Sequence, residues 1–192
     1  MIELLTAPTP PGTNLASLQF GPSPESSHQA QQLLTPLAPG QQLPIVIFMA
    51  YAHQDERLRE KVEQQLTILR LQGLNITWYD SEITAGMEWE NTNEDHLARA
   101  DVILLLISSN FLASQYCYGI QVKQAVERHN EKKAHIIPII LHRCVWDRTP
   151  FAKIQPLPKG GKPISKWSNP HDALADIALG IRKAVEYLQN KL

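Results

Sequence analysis

The sequence predicts an α/β fold, a flavodoxin-like parallel sheet of about five strands with helices on both faces. Three observations carry that prediction. Short, mostly apolar runs recur at residues 45–49, 76–79, 102–107 and 136–141, and the one at 102–107 is unbroken, as a strand covered on both faces requires. Stretches with apolar residues at three-to-four-residue spacing separate the runs, the signature of helices laid on a sheet. Each strand-plus-helix unit is about 30 residues long, the size of a right-handed crossover between parallel strands.

The first strand, residues 45–49, reads Ile-Val-Ile-Phe-Met. Leu58, Val62, Leu66 and Leu69 then share one helical face, and Gly73 closes that helix. The second strand is 76–79. After a polar loop, Trp89, His96, Leu97 and Ala100 mark a helix that ends before the third strand, 102–107, a run suited to the centre of a parallel sheet. Residues 115–130 read as another helix. The fourth strand is 136–141, where Pro138 cannot donate to a ladder and points to a strand end, an edge or a bulge. A Pro- and Gly-rich segment, 150–163, leads to a short candidate fifth strand at 164–167. Asn169 as cap and Pro170 at the first helical position announce the last helix, with Leu174, Ile177, Ile181, Val185 and Leu188 on its inner face.

Residues 1–43 stand apart. They hold half of the chain's 14 prolines in a Gln/Ser/Thr-rich setting, and their charged side chains are Glu3 and Glu25. Such a segment buries too little apolar surface to offset its ordering entropy, so a flexible tail is expected before one domain over 44–190. A net charge of −1 supplies no field for nucleic acid or an anionic membrane. The longest apolar run, 45–52, falls far short of the roughly 20 residues that span a bilayer. No Lys or Arg precedes residue 57, so a basic leader is missing. The two cysteines, Cys117 and Cys144, cannot build a multi-bridge framework, which points to a reducing compartment and a cytoplasmic home.

In open α/β sheets, ligands bind beyond the carboxyl ends of the strands. The loops there are Ala50-Tyr51-Ala52-His53-Gln54-Asp55, the stretch from Asp80 to Trp89, and the stretch from Ser108 to Tyr118. Tyr51, Trp89, Phe111, Tyr116 and Trp146 either offer stacking surface to a flat ligand or complete the core. Asp80 either orders its own loop or contacts a ligand. His53 either titrates near a phosphate or is an inert turn residue. The histidines and cysteines lack the short-range pairing of zinc sites. Gly160-Gly161-Lys162 lacks the preceding glycine of a phosphate-binding loop and reads as a turn.

Four motifs agree in order and spacing with one family. They are the strand followed by Tyr51-x-His53-x-Asp55, the Asp80-x-x-Ile83-x-x-Gly86 loop leading into Trp89, the segment from Ser109 through Asn110, Phe111 and Leu112 to Ser114, Tyr116 and Cys117, and the Ile136-to-Leu141 strand leading to Cys144-Val145-Trp146. Over about 44–188 the chain resembles a bacterial Toll/interleukin-1 receptor (TIR) domain. The resemblance implies self-association into signalling assemblies, cleavage of the nicotinamide–ribose bond of NAD⁺ within an antiphage defence pathway, or both, with NAD⁺ as substrate and no bound cofactor. It also implies substrate-binding roles for Tyr51, His53, Asp80, Ile83, Trp89, Phe111 and Cys117, self-association through the 80–88 loop, and a separate sensor or effector protein as partner. The family's catalytic glutamate falls on Gln121. Gly119 replaces an acid that often stands two residues earlier, and Ser81 replaces a common arginine. Gln121 marks either a natural non-catalytic member or an inactivated form of an active enzyme. A non-catalytic scaffold acting by self-association is the alternative reading. A response-regulator receiver is contradicted by Ala50-Tyr51-Ala52 and Ser108-Ser109, where acidic residues would stand.

Overall fold

A computed structural model of the chain describes residues 43–79 and 89–191. The expected tail, apart from Leu43, and the loop residues Asp80 and Ile83 lie outside the described residues, as does the side chain of Trp89. Four parallel strands, β1 (Ile45–Ala50), β2 (Ile76–Tyr79), β3 (Val102–Ile107) and β4 (His135–Ile140), form one sheet in the order β2-β1-β3-β4. This is the flavodoxin-like order expected of consecutive right-handed crossovers, with the direction of winding reversing between β1 and β3.

Strand alternation divides the core. Ile45, Ile47, Met49, Val102, Leu104 and Leu106 face α1 (Glu56–Leu71) and the C-terminal helix, while Phe48, Ala50, Ile103, Leu105 and Ile107 face the other layer. In β3 every residue is buried, which is why its sequence is apolar without alternation. Helix α1 presents Val62, Leu66 and Leu69 inward and ends on Gly73 at φ +93°, a left-handed turn that glycine enters without strain. The opposite layer begins with α2 (Trp89–Arg99), which contributes Leu97. On complete burial a side chain such as Leu66 or Leu104 contributes about 1.5–3 kcal/mol.

The predicted helix at 115–130 is two pieces, with a separate short helix before it. A short α3 (Ser109–Ala113) leads to Ser114, then a π-helix (Gln115–Gln121) runs directly into α4 (Val122–Asn130). Serines set the starts: the Ser108 hydroxyl accepts from Phe111 N–H (3.0 Å) and the Ser114 hydroxyl from Cys117 N–H (3.1 Å). The last helix, α5 (Pro170–Gln189), starts as the sequence predicts, with Asn169 accepting from His171 N–H and Pro170 in the first turn.

The expected fifth strand at 164–167 is instead a 3₁₀ turn, Ile164–Lys166, closed by Trp167 N–H on Ile164 O (3.2 Å). Beside β4 stands a single residue, Leu157. Its N–H donates to Pro138 O and its carbonyl accepts from Ile140 N–H, both at 2.8 Å. Pro156 and Pro158 flank it and have no N–H to give, so the ladder stops after one bridge. Pro138 is thereby explained as an edge residue: its carbonyl faces outward, and its missing N–H leaves the β3 ladder whole. Among the described residues, no helix is long and apolar enough to cross a membrane.

Candidate functional site

The loops that follow β1 and β3 meet at a buried carboxylate. Asp55 ends the 3₁₀ turn His53–Asp55, with its N–H on Ala52 O (2.8 Å), and is 4% exposed. It accepts from the Ser108 hydroxyl and, at 3.3 Å, from the Asn110 side-chain amide. Four residues earlier, Tyr51 O accepts from the Cys117 thiol at 3.3 Å. Burial pushes the Cys117 thiol up, and the negative charge of Asp55 adds to that push against the opposing Ser114 hydrogen bond. Burial and Asp55 likewise raise the Cys144 thiol. Both cysteines are therefore neutral thiols rather than nucleophiles at physiological pH.

Tyr51 lies under Arg59, whose guanidinium carbon stands 5.6 Å from the ring centre. Arg59 is itself buried and binds Glu56 and Glu63. Partial burial opposes the charge on Glu56, but hydrogen bonds with Arg59 and Tyr51 and the charge of Arg59 outweigh it and hold the carboxyl below its ordinary range. The first turn of α1 is thus tied to the strand-end loop.

Gln121 closes the π-helix and is 3% exposed, with no hydrogen-bond partner for Oε1 among the described residues. The neighbouring helix shows a counterpart. α2 and α4 each lead into a strand of the parallel sheet, so they run side by side in the same direction, and Arg128 joins their ends by donating to Ala100 O at 2.8 Å. About two turns back from Ala100 and Arg128 stand Asn93 and Gln121. Asn93 is 1% exposed, and neither of its amide atoms has a partner among the described residues. Leaving such groups unpaired costs about 1–3 kcal/mol each, so they mark places where water or another polar group would be taken up.

The predicted residues divide. The structure brings Tyr51 and Cys117 into contact and puts Gln121 one turn beyond Cys117. His53 is exposed at the turn. Phe111 is fully buried in the layer that faces α4, so its ring is a packing element without surface for a ligand. Tyr51, at 6% exposure, joins the opposite core. Gln121 is enclosed. Sequence reasoning noted Asp55 and Ser108 in their loops without giving either a role, and passed over Asn93. The signal for Asp55 and Ser108 was present, a charged and a hydroxyl residue at adjacent strand ends, but their pairing depends on the β1–β3 register, in which Ala50 lies beside Leu105. A cleft of about 410 Å³ opens at the end of β4, lined by Arg143, Cys144, Trp146, Gly161, Lys162 and Lys166 among others, and Gln121 is not part of its wall. Among the described residues, no cluster of His, Cys, Asp and Glu could hold a metal ion.

A family model described as the TIR domain matches residues 47–173. The uncharacterised protein y4lF of Sinorhizobium fredii (strain NBRC 101917 / NGR234) is 43% identical over 138 residues, which is 72% of this chain and 43% of that protein. The chain thus spans less than half of that relative. Among solved structures, the TIR domain of the Toll-related receptor TRR-2 from Hydra magnipapillata is similar at 20% identity and a TM-score of 0.39, over 52% of this chain and 72% of that one. The TIR domains of the activated Roq1 resistosome, which directly recognises the pathogen effector XopQ, are similar at 17% identity and a TM-score of 0.40, over 50% and 56%. The family match begins within β1 and runs through all four parallel strands into α5, and the chain belongs to the TIR domain family.

Proposed function

We propose that this TIR domain is of the NAD⁺-cleaving class and serves a bacterial signalling or antiphage defence system, with Gln121 at the place of the catalytic carboxylate. The observation that supports this most is Gln121 itself: a buried amide, beyond the carboxyl ends of the strands, with an oxygen that has no partner among the described residues. Breaking the nicotinamide–ribose bond develops positive charge on the ribose, and a carboxylate beside it stabilises that charge and holds the hydroxyls. A unit charge about 4 Å away is worth roughly 4 kcal/mol at an effective dielectric near 20, which the neutral amide of Gln121 does not replace. The chain as written therefore binds NAD⁺ and turns it over about a thousandfold more slowly than a carboxylate form. Calorimetric titration tests the binding half. Saturable heat with NAD⁺, lost in Gln121→Leu, is expected, and no heat with either chain contradicts the reading.

The same neutral side chain favours a second reading, a domain that signals by self-association alone. The 80–88 loop, which mixes Ile83 and Met87 with acids and Gly86, is the proposed contact. Replacing Ile83 and Met87 by Asp then abolishes higher oligomers in light scattering, and unchanged assembly counts against that surface.

A further inference from the structure

We infer that Asp55 is a positioning residue: through Ser108 and Asn110, its buried carboxylate fixes the loop that carries Tyr51 and His53 against the segment that carries Gln121. The inference deepens the proposed function and rests on it for one of its two readouts.

The burial of Asp55 first needs a reason. It is a carboxylate at 4% exposure whose partners are neutral, Ser108 and Asn110, and among the described residues no cation pairs with it. Burying a charge on neutral donors is costly, and a well-packed apolar replacement is often as stable or more so. Its place at the N-cap of α1 offsets part of that cost through the helix dipole, but its side chain caps no N–H there, so the fold alone does not account for the two bonds it makes to Ser108 and Asn110.

What the two hydrogen bonds accomplish is a connection. The Ser108 hydroxyl has one proton, given to Asp55, while its oxygen accepts from Phe111 N–H, so its rotamer is held from both sides. From Phe111, α3 leads to Ser114, which accepts from Cys117 N–H, and the Cys117 thiol returns to Tyr51 O. The circuit starts and ends in the five-residue stretch from Tyr51 to Asp55. Two attachments fix the orientation of the two segments as well as their separation, and Gln121 lies one turn past the second attachment. A misplacement of about 1 Å at a reacting group can cost about a hundredfold in rate, which is a use for such a tie.

The test exchanges donor and acceptor. In Asp55→Asn one amide oxygen still accepts from Ser108, but the new NH₂ faces the NH₂ of Asn110, donor against donor. Adding Asn110→Asp restores a donor–acceptor pair at the same net charge. The first readout needs no catalysis: alkylation of Cys117 by iodoacetamide in a Cys144→Ser background, followed against pH so that access is separated from thiolate fraction. Corrected to full thiolate, the Asp55→Asn rate is expected to rise about tenfold and to return with Asn110→Asp. The second readout is nicotinamide release in a Gln121→Glu background, where Asp55→Asn lowers kcat about tenfold with KM little changed and the double variant recovers it.

An unchanged corrected rate in Asp55→Asn overturns the inference, as does a rise that Asn110→Asp fails to reverse. Loss of cooperative unfolding in both Asp55→Asn and the double variant assigns Asp55 to the fold and overturns it too. The expected alkylation pattern, with no nicotinamide from any Gln121→Glu chain, upholds the positioning role and counts against the proposed function instead.

Discussion

A Cβ on Gly180 would lie 2.5 and 2.6 Å from the two methyls of Leu157 and 3.2 Å from its Cγ. The whole fork must move, and it has little freedom, because the Leu157 backbone is bound to β4 on both sides. Alanine gains about 1 kcal/mol of helix propensity over glycine, but forcing an extra methyl into a filled contact costs about 1–3 kcal/mol. Gly180→Ala is therefore expected to lower stability by about 1 kcal/mol in urea unfolding. Adding Leu157→Ala relieves the clash, so the pair shows coupling of about 1 kcal/mol in a double-mutant cycle, and additive effects contradict the contact. Nothing in the local sequence marks this glycine, since its partner is 23 residues away and belongs to an irregular segment. Gln121 is the contrary case at the same scale, legible by its place after Tyr116-Cys117, whereas its enclosure depends on how the helices of that layer pack.

Among elements, the regular strands and the capped helices were readable because each rests on a local rule: mostly apolar runs, a Gly73 stop, an Asn169-Pro170 start. The failures have physical causes. Residues 164–167 carry an apolar pattern, but Ile164 points into the core from a turn that follows Pro163, and the edge of β4 is taken by Leu157 between two prolines. Residues 115–130 have helical periodicity, yet Ser114 stops α3 and the chain restarts with wider π turns, which periodicity alone does not distinguish. Ser108 is the residue on which this region turns. Ser108→Ala removes the cap of α3, worth about 0.5–2 kcal/mol, and takes from a buried carboxylate one of its two donors, worth about 1–3 kcal/mol more. A loss of about 2–3 kcal/mol in urea unfolding is expected, and a loss below about 0.5 kcal/mol contradicts the bond to Asp55.

For the molecule as a whole, acid is predicted to weaken the fold in two stages. Burial, then the neighbouring His129 and Lys191, hold the His135 imidazole below its ordinary 6.5. The unfolded chain therefore binds the proton more readily, and the contribution is complete above 6.5 and lost as pH falls through the folded value. Glu56, held below 4.5, follows the same sign at lower pH. Thermal unfolding midpoints should fall below about pH 6.5, and His135→Gln should flatten the first stage. The parallel sheet with helices on both faces was legible because it repeats one crossover, each unit announced by its own apolar run. The site was legible only in part, since its loops come together through the β1–β3 register and the path of the π-helix. Its central residue can be tested directly by following nicotinamide release from NAD⁺ with this chain and with Gln121→Glu under the same conditions. Near silence from the Gln121 chain and a gain on the order of a thousandfold on restoring the carboxylate are expected. Vigorous release by the Gln121 chain itself, unchanged in the Glu form, would contradict this assignment.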